Sequence, residues 1–282
     1  MSEVASVKKN KGWFVVSLII IAYIGLYALN LLTPLTFSVV HHYNNYISRI
    51  WGWSEQVVGL SALVILIFKR KDVDFRAIGT AVILALINGL SIYFRIGGLV
   101  NAIEEGFIII FTLLAGVILF KEASEFRIAV FEGGTKRILG SILWGIAFSL
   151  PLCILNNLYF YFTNGIVEFE NIFSSAFFAL NPGISEEIIF RFFIMAVCVY
   201  SLKGTASKRM IFFIATFLGV VPHSLNHLPD LFMMNPGAAV FMLVATSLLF
   251  GLPMAWLQWK RNLETAISFH WFIDFTRFFF GF

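Results

Sequence analysis

Carboxylates, imidazoles and one guanidinium recur in three short clusters in the second half of the sequence. They read Ser185-Glu186-Glu187-Ile188-Ile189-Phe190-Arg191, then Pro222-His223-Ser224-Leu225-Asn226-His227, then Phe269-His270-Trp271-Phe272-Ile273-Asp274. Residues four apart on a helix share a face, so Glu187 can pair with Arg191 in the favourable order. Glu186, one step of about 100° away, stays free to face a cavity. Two carboxylates beside one arginine can divide the work: one is held ionised, and the other serves as a general base. His223 and His227 are also four apart, a spacing that suits two metal ligands or a catalytic histidine with a neighbour that orients it. Ser224 stands where a zincin would carry its glutamate, so that signature is absent. His270 and Asp274 repeat the same interval.

Each cluster also has a plain structural reading. Glu187 and Arg191 make an ion pair at a helix interface, with Glu186 at the lipid headgroups. His223 and His227 are interfacial. Asp274 pairs with Arg277 while His270 bonds to a backbone carbonyl. Three separate structural reasons are then needed, whereas one buried polar site accounts for all three clusters together.

The elements that carry these residues must lie in a bilayer. Of 282 residues, 59% are apolar and 13% charged, against roughly half and a quarter in a soluble domain. A larger core does not produce that shift; an apolar outer surface does. The apolar runs are continuous rather than alternating, which excludes a barrel and leaves helices. We place spans near 13–32, 51–68, 77–94, 107–120, 138–160, 184–202, 210–226, 237–259 and 265–282. The second and fourth are short and weak, so the fold expected is an all-α polytopic transmembrane bundle of eight or nine spans. It forms a single integral membrane domain over 1–282. The first run is read as a retained helix, because no small-residue cleavage site follows it.

Ionisable residues inside spans are costly, which makes the three clusters functional candidates. The first half holds nothing comparable: His41 and His42 fall in a polar connection, Glu104 and Glu105 flank a span end, and all four are read as solvated. Cys153 and Cys198 lie in apolar runs and are read as small buried hydrophobes. The net charge of +4 reflects orientation rather than nucleic-acid binding. Lys8/Lys9/Lys11, Lys69/Arg70/Lys71, Lys121/Arg127/Lys136/Arg137, Lys203/Lys208/Arg209 and Lys260/Arg261 fall at every second connection, while 163–183 and 222–236 hold no Lys or Arg. This alternation predicts a cell-membrane protein with a cytoplasmic N-terminus and an outer C-terminus, and it puts Glu186 nearer the outer face.

The ordered set Glu186-Glu187-x-x-x-Arg191, then His227-Leu228, then His270-x-x-x-Asp274 resembles the CAAX protease and bacteriocin-processing (Abi-type) family of intramembrane proteases. The family usually has Phe four residues before the second-motif histidine, where this chain has His223. It fills the position of Asp274 with Asn or Asp. The motifs span roughly 184–274, and the protease-like core is taken as about 138–282. The resemblance implies peptide-bond hydrolysis in or at the edge of the membrane, on a membrane-associated or CAAX-like peptide. Under it, Glu186 and His227 hold the attacking water, Glu187 and Arg191 orient the site, and His270 with Asp274 serves the oxyanion. An ionised Asp274 would repel an oxyanion, so it must be protonated, orient His270 or bind something else. His223 and Asn226 are neighbours or alternative ligands. A metal-free glutamate site is preferred, with zinc on Glu186, His227 and His270 as the alternative. The partners implied are a peptide or membrane-protein substrate and the lipid bilayer, with no nucleic acid. Two other classes stand beside a peptidase: a binding or immunity protein of the same fold without turnover, and a proton-coupled transporter. The transporter lacks the paired Gly/Pro-broken segments of inverted repeats.

Overall fold

The computed structural model describes residues 2–34, 45–95 and 97–282, with side chains from residue 11 onward, Lys71 excepted. His41 and His42 lie outside the described residues, as do the side chains of Lys8, Lys9 and Lys71. Every regular element described is helical.

Five long helices open the chain: α1 (Ser2–Leu32), α2 (Tyr46–Lys69), α3 (Phe75–Arg95), α4 (Leu99–Glu122) and α5 (Thr135–Asn164). The second half is more broken. Helices α6 (Ile172–Phe178) and α7 (Leu180–Glu186) run into a π-helical turn, Glu187–Phe193, and then α8 (Ile194–Leu202). Next come α9 (Lys208–Asn226) and the short α10 (Pro229–Met234). After α11 (Pro236–Thr246), a second π turn, Ser247–Gly251, leads into α12 (Leu252–Lys260), and α13 (Leu263–Phe279) closes the chain. The segment boundaries follow local chemistry. Side chains of Asn45, Asn171, Ser207, Asn235 and Asn262 accept backbone N–H groups at the starts of α2, α6, α9, α11 and α13, supplying partners that a helix start otherwise lacks.

Among the described residues, seven helical segments are long and apolar enough to cross a membrane: Lys11–Leu32, Tyr46–Lys69, Phe75–Arg95, Leu99–Glu122, Thr135–Asn164, Lys208–Asn226 and Pro236–Lys260. The protein is an all-α multi-pass membrane bundle. The other two passes expected from sequence are the broken run α6 to α8 and the 17-residue α13, and these carry the polar clusters. The second and fourth spans, short by hydropathy, are each 24 residues in the structure. Glu55 and Gln56 in one, and Glu104 and Glu105 in the other, had broken the apolar signal. Large apolar side chains such as Phe14, Leu60, Phe94, Phe162 and Phe217 face outward, as a lipid-facing surface requires.

The basic connections gather at one end. Lys69 and Lys203 both reach Glu122, the latter at 3.8 Å, and Lys208 reaches Glu125 at 2.8 Å. At the opposite end the C-terminus of α13 folds against the loop after α5, with Glu170 N donating to Phe279 O at 2.9 Å. Close packing fixes α13 between α5 and α7. A Cβ on Gly145 would overlap Ser268 Oγ and the Thr265 carbonyl, and one on Gly183 would meet Trp271 Cβ at 3.0 Å. Small residues allow such approach in a bilayer, where helices gain little from hydrophobicity alone.

Candidate active site

Three passes converge. α7 and its π turn bring Glu186, Glu187 and Arg191; the C-terminal turn of α9 brings His223 and His227; the middle of α13 brings His270 and Asp274. π turns recur at functional sites because one extra residue per turn re-aims the side chains. Here the turn starts at Glu187, directly after Glu186.

Glu186 Oε2 is the hub. It lies 2.6 Å from His223 Nε2, 3.5 Å from His270 Nε2 and 3.9 Å from His227 Nε2. Glu187, fully buried, forms the salt bridge to Arg191. It also accepts from His270 Nδ1 at 2.8 Å and from Gln258 Nε2 at 2.8 Å. Gln258 donates in addition to the Glu187 carbonyl oxygen at 3.2 Å. Arg191 NH2 meets His223 Nδ1 at 3.0 Å. Asp274 sits 3.3 Å from His270 Nε2 and 3.2 Å from Arg277 NH2, so His270 and Arg277 share it.

These contacts fix where protons sit. Arginine only donates, so His223 Nδ1 must accept and its Nε2–H points at Glu186. His270 faces carboxylate oxygens at both nitrogens, and a bare nitrogen there would set lone pair against lone pair. With His270 as a double donor, three carboxylates (Glu186, Glu187, Asp274) are balanced by Arg191, Arg277 and one imidazolium. A balanced set of this kind is one way a low-dielectric interior tolerates buried charge.

A metal ion would need unprotonated donors here. Among the described residues, ligand atoms of Glu186, His223 and His227 lie within 4.8 Å of one another. As arranged, His223 turns an N–H toward Glu186, His270 is a donor at both nitrogens, and only His227 has an uncommitted ring. A protonated nitrogen cannot ligate, so a zinc ion on Glu186, His223 and His227 would need Arg191 to release His223 Nδ1.

His227 is half-exposed, with 46% of its side chain accessible, and opens to a cavity of about 710 Å³. Glu186, Arg191, His223, His227, His270 and Asp274 line one wall of that cavity. Leu231, Met234, Phe241, Leu249 and Met254 line much of the rest. Asn226 turns away from it: its Nδ2 donates to Ser54 Oγ at 3.0 Å and its Oδ1 accepts from Tyr23 OH.

Several contributors were absent from the motif reading. Trp51 of α2 packs edge-on to His223 at 5.4 Å and His227 at 5.0 Å. Gln258 is a lone amide in the apolar α12, a signal that intramembrane polar residues are worth following. Glu105 corrects an expectation: it is not at a span end but half-buried within α4, where it accepts from Asn88 Nδ2 at 3.1 Å and Asn181 Nδ2 at 2.9 Å. Its neighbour Glu104 accepts from Gln56 Nε2 at 3.0 Å. The first half therefore does contribute a half-buried polar group, supplied by side chains spaced too far apart in sequence to form a motif.

Fold and site together define a polytopic helical membrane protein with a carboxylate–histidine centre inside the bundle, the class in which intramembrane hydrolases fall. Residues 168–276 match the family model described as type II CAAX prenyl endopeptidase Rce1-like. The matched stretch, which is similar to that family, contains Glu186, Glu187, Arg191, His223, His227, His270 and Asp274. No curated protein and no solved structure matches the chain.

Proposed function

We propose that the protein is an intramembrane endopeptidase that cleaves a membrane-associated or CAAX-like peptide with a water activated by Glu186. The observation that carries this reading is the convergence on Glu186 Oε2 of imidazole nitrogens at 2.6, 3.5 and 3.9 Å.

The 3.9 Å gap between Glu186 Oε2 and His227 Nε2 suits a water that bonds to both at ~2.8 Å. Glu186 takes the proton as this water attacks the scissile carbonyl, then returns it to the leaving amine. His223 Nε2–H holds the carboxylate in place, and its own tautomer is set by Arg191. The oxyanion forms toward His270 Nε2–H, where a preset donor stabilises the developing charge. Asp274 supports that donor rather than the oxyanion: it anchors the imidazolium against Arg277. This assigns the carboxylate a role compatible with negative charge at the reacting carbonyl. Glu187, Arg191 and Gln258 form the frame beneath. No metal is part of this reading, and the catalytic unit is taken as α5 to α13.

The test is cleavage of quenched peptides, with and without a lipidated cysteine near the C-terminus, by purified protein in nanodiscs. Wild type is expected to cleave; Glu186→Ala and His227→Ala, eluting as folded protein, are expected not to. If both variants keep full biological effect in cells, binding without turnover replaces proteolysis. Activity lost to a chelator and restored by zinc would overturn the metal-free assignment.

A further inference from the structure

A second cavity, of about 700 Å³, lies on the other side of Glu186. Its walls are of a different kind. Glu55, Gln56, Asn101, Glu104, Glu105 and Asn181 line it, with Arg95 and Arg277. Glu186, Arg277 and Ile47 line both cavities, so Glu186 stands at the partition between a chamber rimmed by carboxylates and amides and a groove with the histidines on one wall and apolar side chains over much of the rest.

We propose that the polar chamber is the water entry of the hydrolytic site, and that Glu105 is a positioning residue holding the hydrogen-bonded path from its mouth to Glu186. This inference rests on the peptidase reading above.

The bilayer core supplies no water, so a hydrolase inside it needs a route that water occupies willingly. An apolar cavity stays dry even when large, whereas a roomy polar one holds water with two to four partners per molecule. Away from its ionisable wall, the groove ends among Met234, Phe241 and Leu249, all exposed on the outer surface of the bundle, where lipid rather than water meets it. The polar chamber begins at helix ends. Asn45 caps α2, Asn101 lies in the first turn of α4 and Arg95 ends α3, which puts the mouth at a bilayer surface. Inward, Asn181 Nδ2 donates to both Glu105 Oε1, at 2.9 Å, and Asn88 Oδ1, at 3.2 Å. The Glu105 carboxylate is thus fixed beside α7, the helix that ends in Glu186. Fixed acceptors along the wall order water toward the base instead of letting it bind at random.

Cysteine accessibility in nanodiscs tests this with the full chain, because both native cysteines are buried and wild type sets the background. Asn101→Cys and Asn181→Cys probe the chamber; Leu231→Cys and Leu249→Cys probe the groove. A charged, membrane-impermeant thiol reagent reacts with the thiolate, which forms where water is, so chamber positions should label at least about tenfold faster. Equal rates, or faster labelling in the groove, would overturn the proposal. In the cleavage assay, reagent attached at Asn101→Cys should lower kcat and leave KM unchanged. Glu105→Gln should do the same, with partial recovery in Glu105→Asp. A blocked chamber with kcat unaltered would also refute it. The labelling order needs no substrate: if wild type cleaves no peptide, the peptidase reading fails while labelling still decides the route of water.

Discussion

Two arginines in this protein are almost completely buried, Arg49 at 0% and Arg191 at 1% exposure, and their surroundings differ in kind. Arg49 sits where α1 ends and α2 begins. Its Nε donates to Asn30 Oδ1 at 2.8 Å, and its NH groups donate to carbonyl oxygens of Asn30, Thr33 and Pro34, the last at 3.0 Å. The rings of Tyr46 and Trp53 cover its face at 5.1 and 5.2 Å. Every hydrogen-bond partner is neutral, and the guanidinium serves as a cap for the last carbonyls of α1, where positive charge is favoured. Arg191 instead meets a carboxylate and a histidine ring, and its Nε has no partner among the described residues. A structural arginine is saturated by groups that cannot titrate. The one at the site is tied to groups that can, and one donor stays uncommitted.

The largest effect expected falls on the residue that Arg191's network serves. Glu186→Gln removes the base and keeps its shape, and kcat should fall by about two to four orders of magnitude with the melting temperature nearly unchanged. A large loss of melting temperature would make Glu186 structural and erase the distinction. Arg191→Ala leaves Glu187 buried with only the His270 imidazolium opposite it, a loss of about 3 kcal/mol in stability that thermal unfolding in detergent should register. The sharper comparison is Lys for Arg at both positions. Arg49→Lys loses the fork that reaches several carbonyls and should cost about 3 kcal/mol with kcat intact in the folded fraction. Arg191→Lys should lower kcat even where the protein stays folded, because a lysine cannot bridge Glu187 and His223 together. If both Lys variants lose only stability, the two arginines have the same job. A smaller change is expected for Asp274→Asn. It keeps an oxygen for His270 but loses the charge, and kcat should drop about tenfold, near 1.4 kcal/mol. Smallest is Asn30→Ala, which removes one of several acceptors of Arg49. It should lower stability by about 1 kcal/mol without touching turnover.

Much of the site was visible in the sequence because each cluster sits within one helical turn. Glu187 and Arg191, His223 and His227, and His270 and Asp274 keep a four-residue interval that survives into the structure, even through the π turn. Asn226 lay inside a cluster and is not at the site, since its side chain reaches Ser54 and Tyr23. The remaining contributors came mostly from other passes. Trp51 lies on α2, Glu105 on α4 and Gln258 on α12, while Asn181 starts α7 itself, and nothing local marks that these residues face inward. The hydropathy of the second and fourth spans fell for the same reason: their acids face a chamber that sequence cannot display.

Composition and periodicity decided that this chain is a helical membrane protein, because a bilayer demands long apolar runs and punishes stray charge, and both demands are written residue by residue. They also fixed the intervals within each cluster, which depend only on helical pitch. The packing of α7, α9 and α13 decided the rest. It set His223 rather than His227 in the hydrogen bond to Glu186, locked a tautomer through Arg191 and left Glu186 between two cavities with different linings. Such pairings join residues tens of positions apart, and their geometry exists only once close contacts such as Gly145 against α13 have fixed how the helices cross.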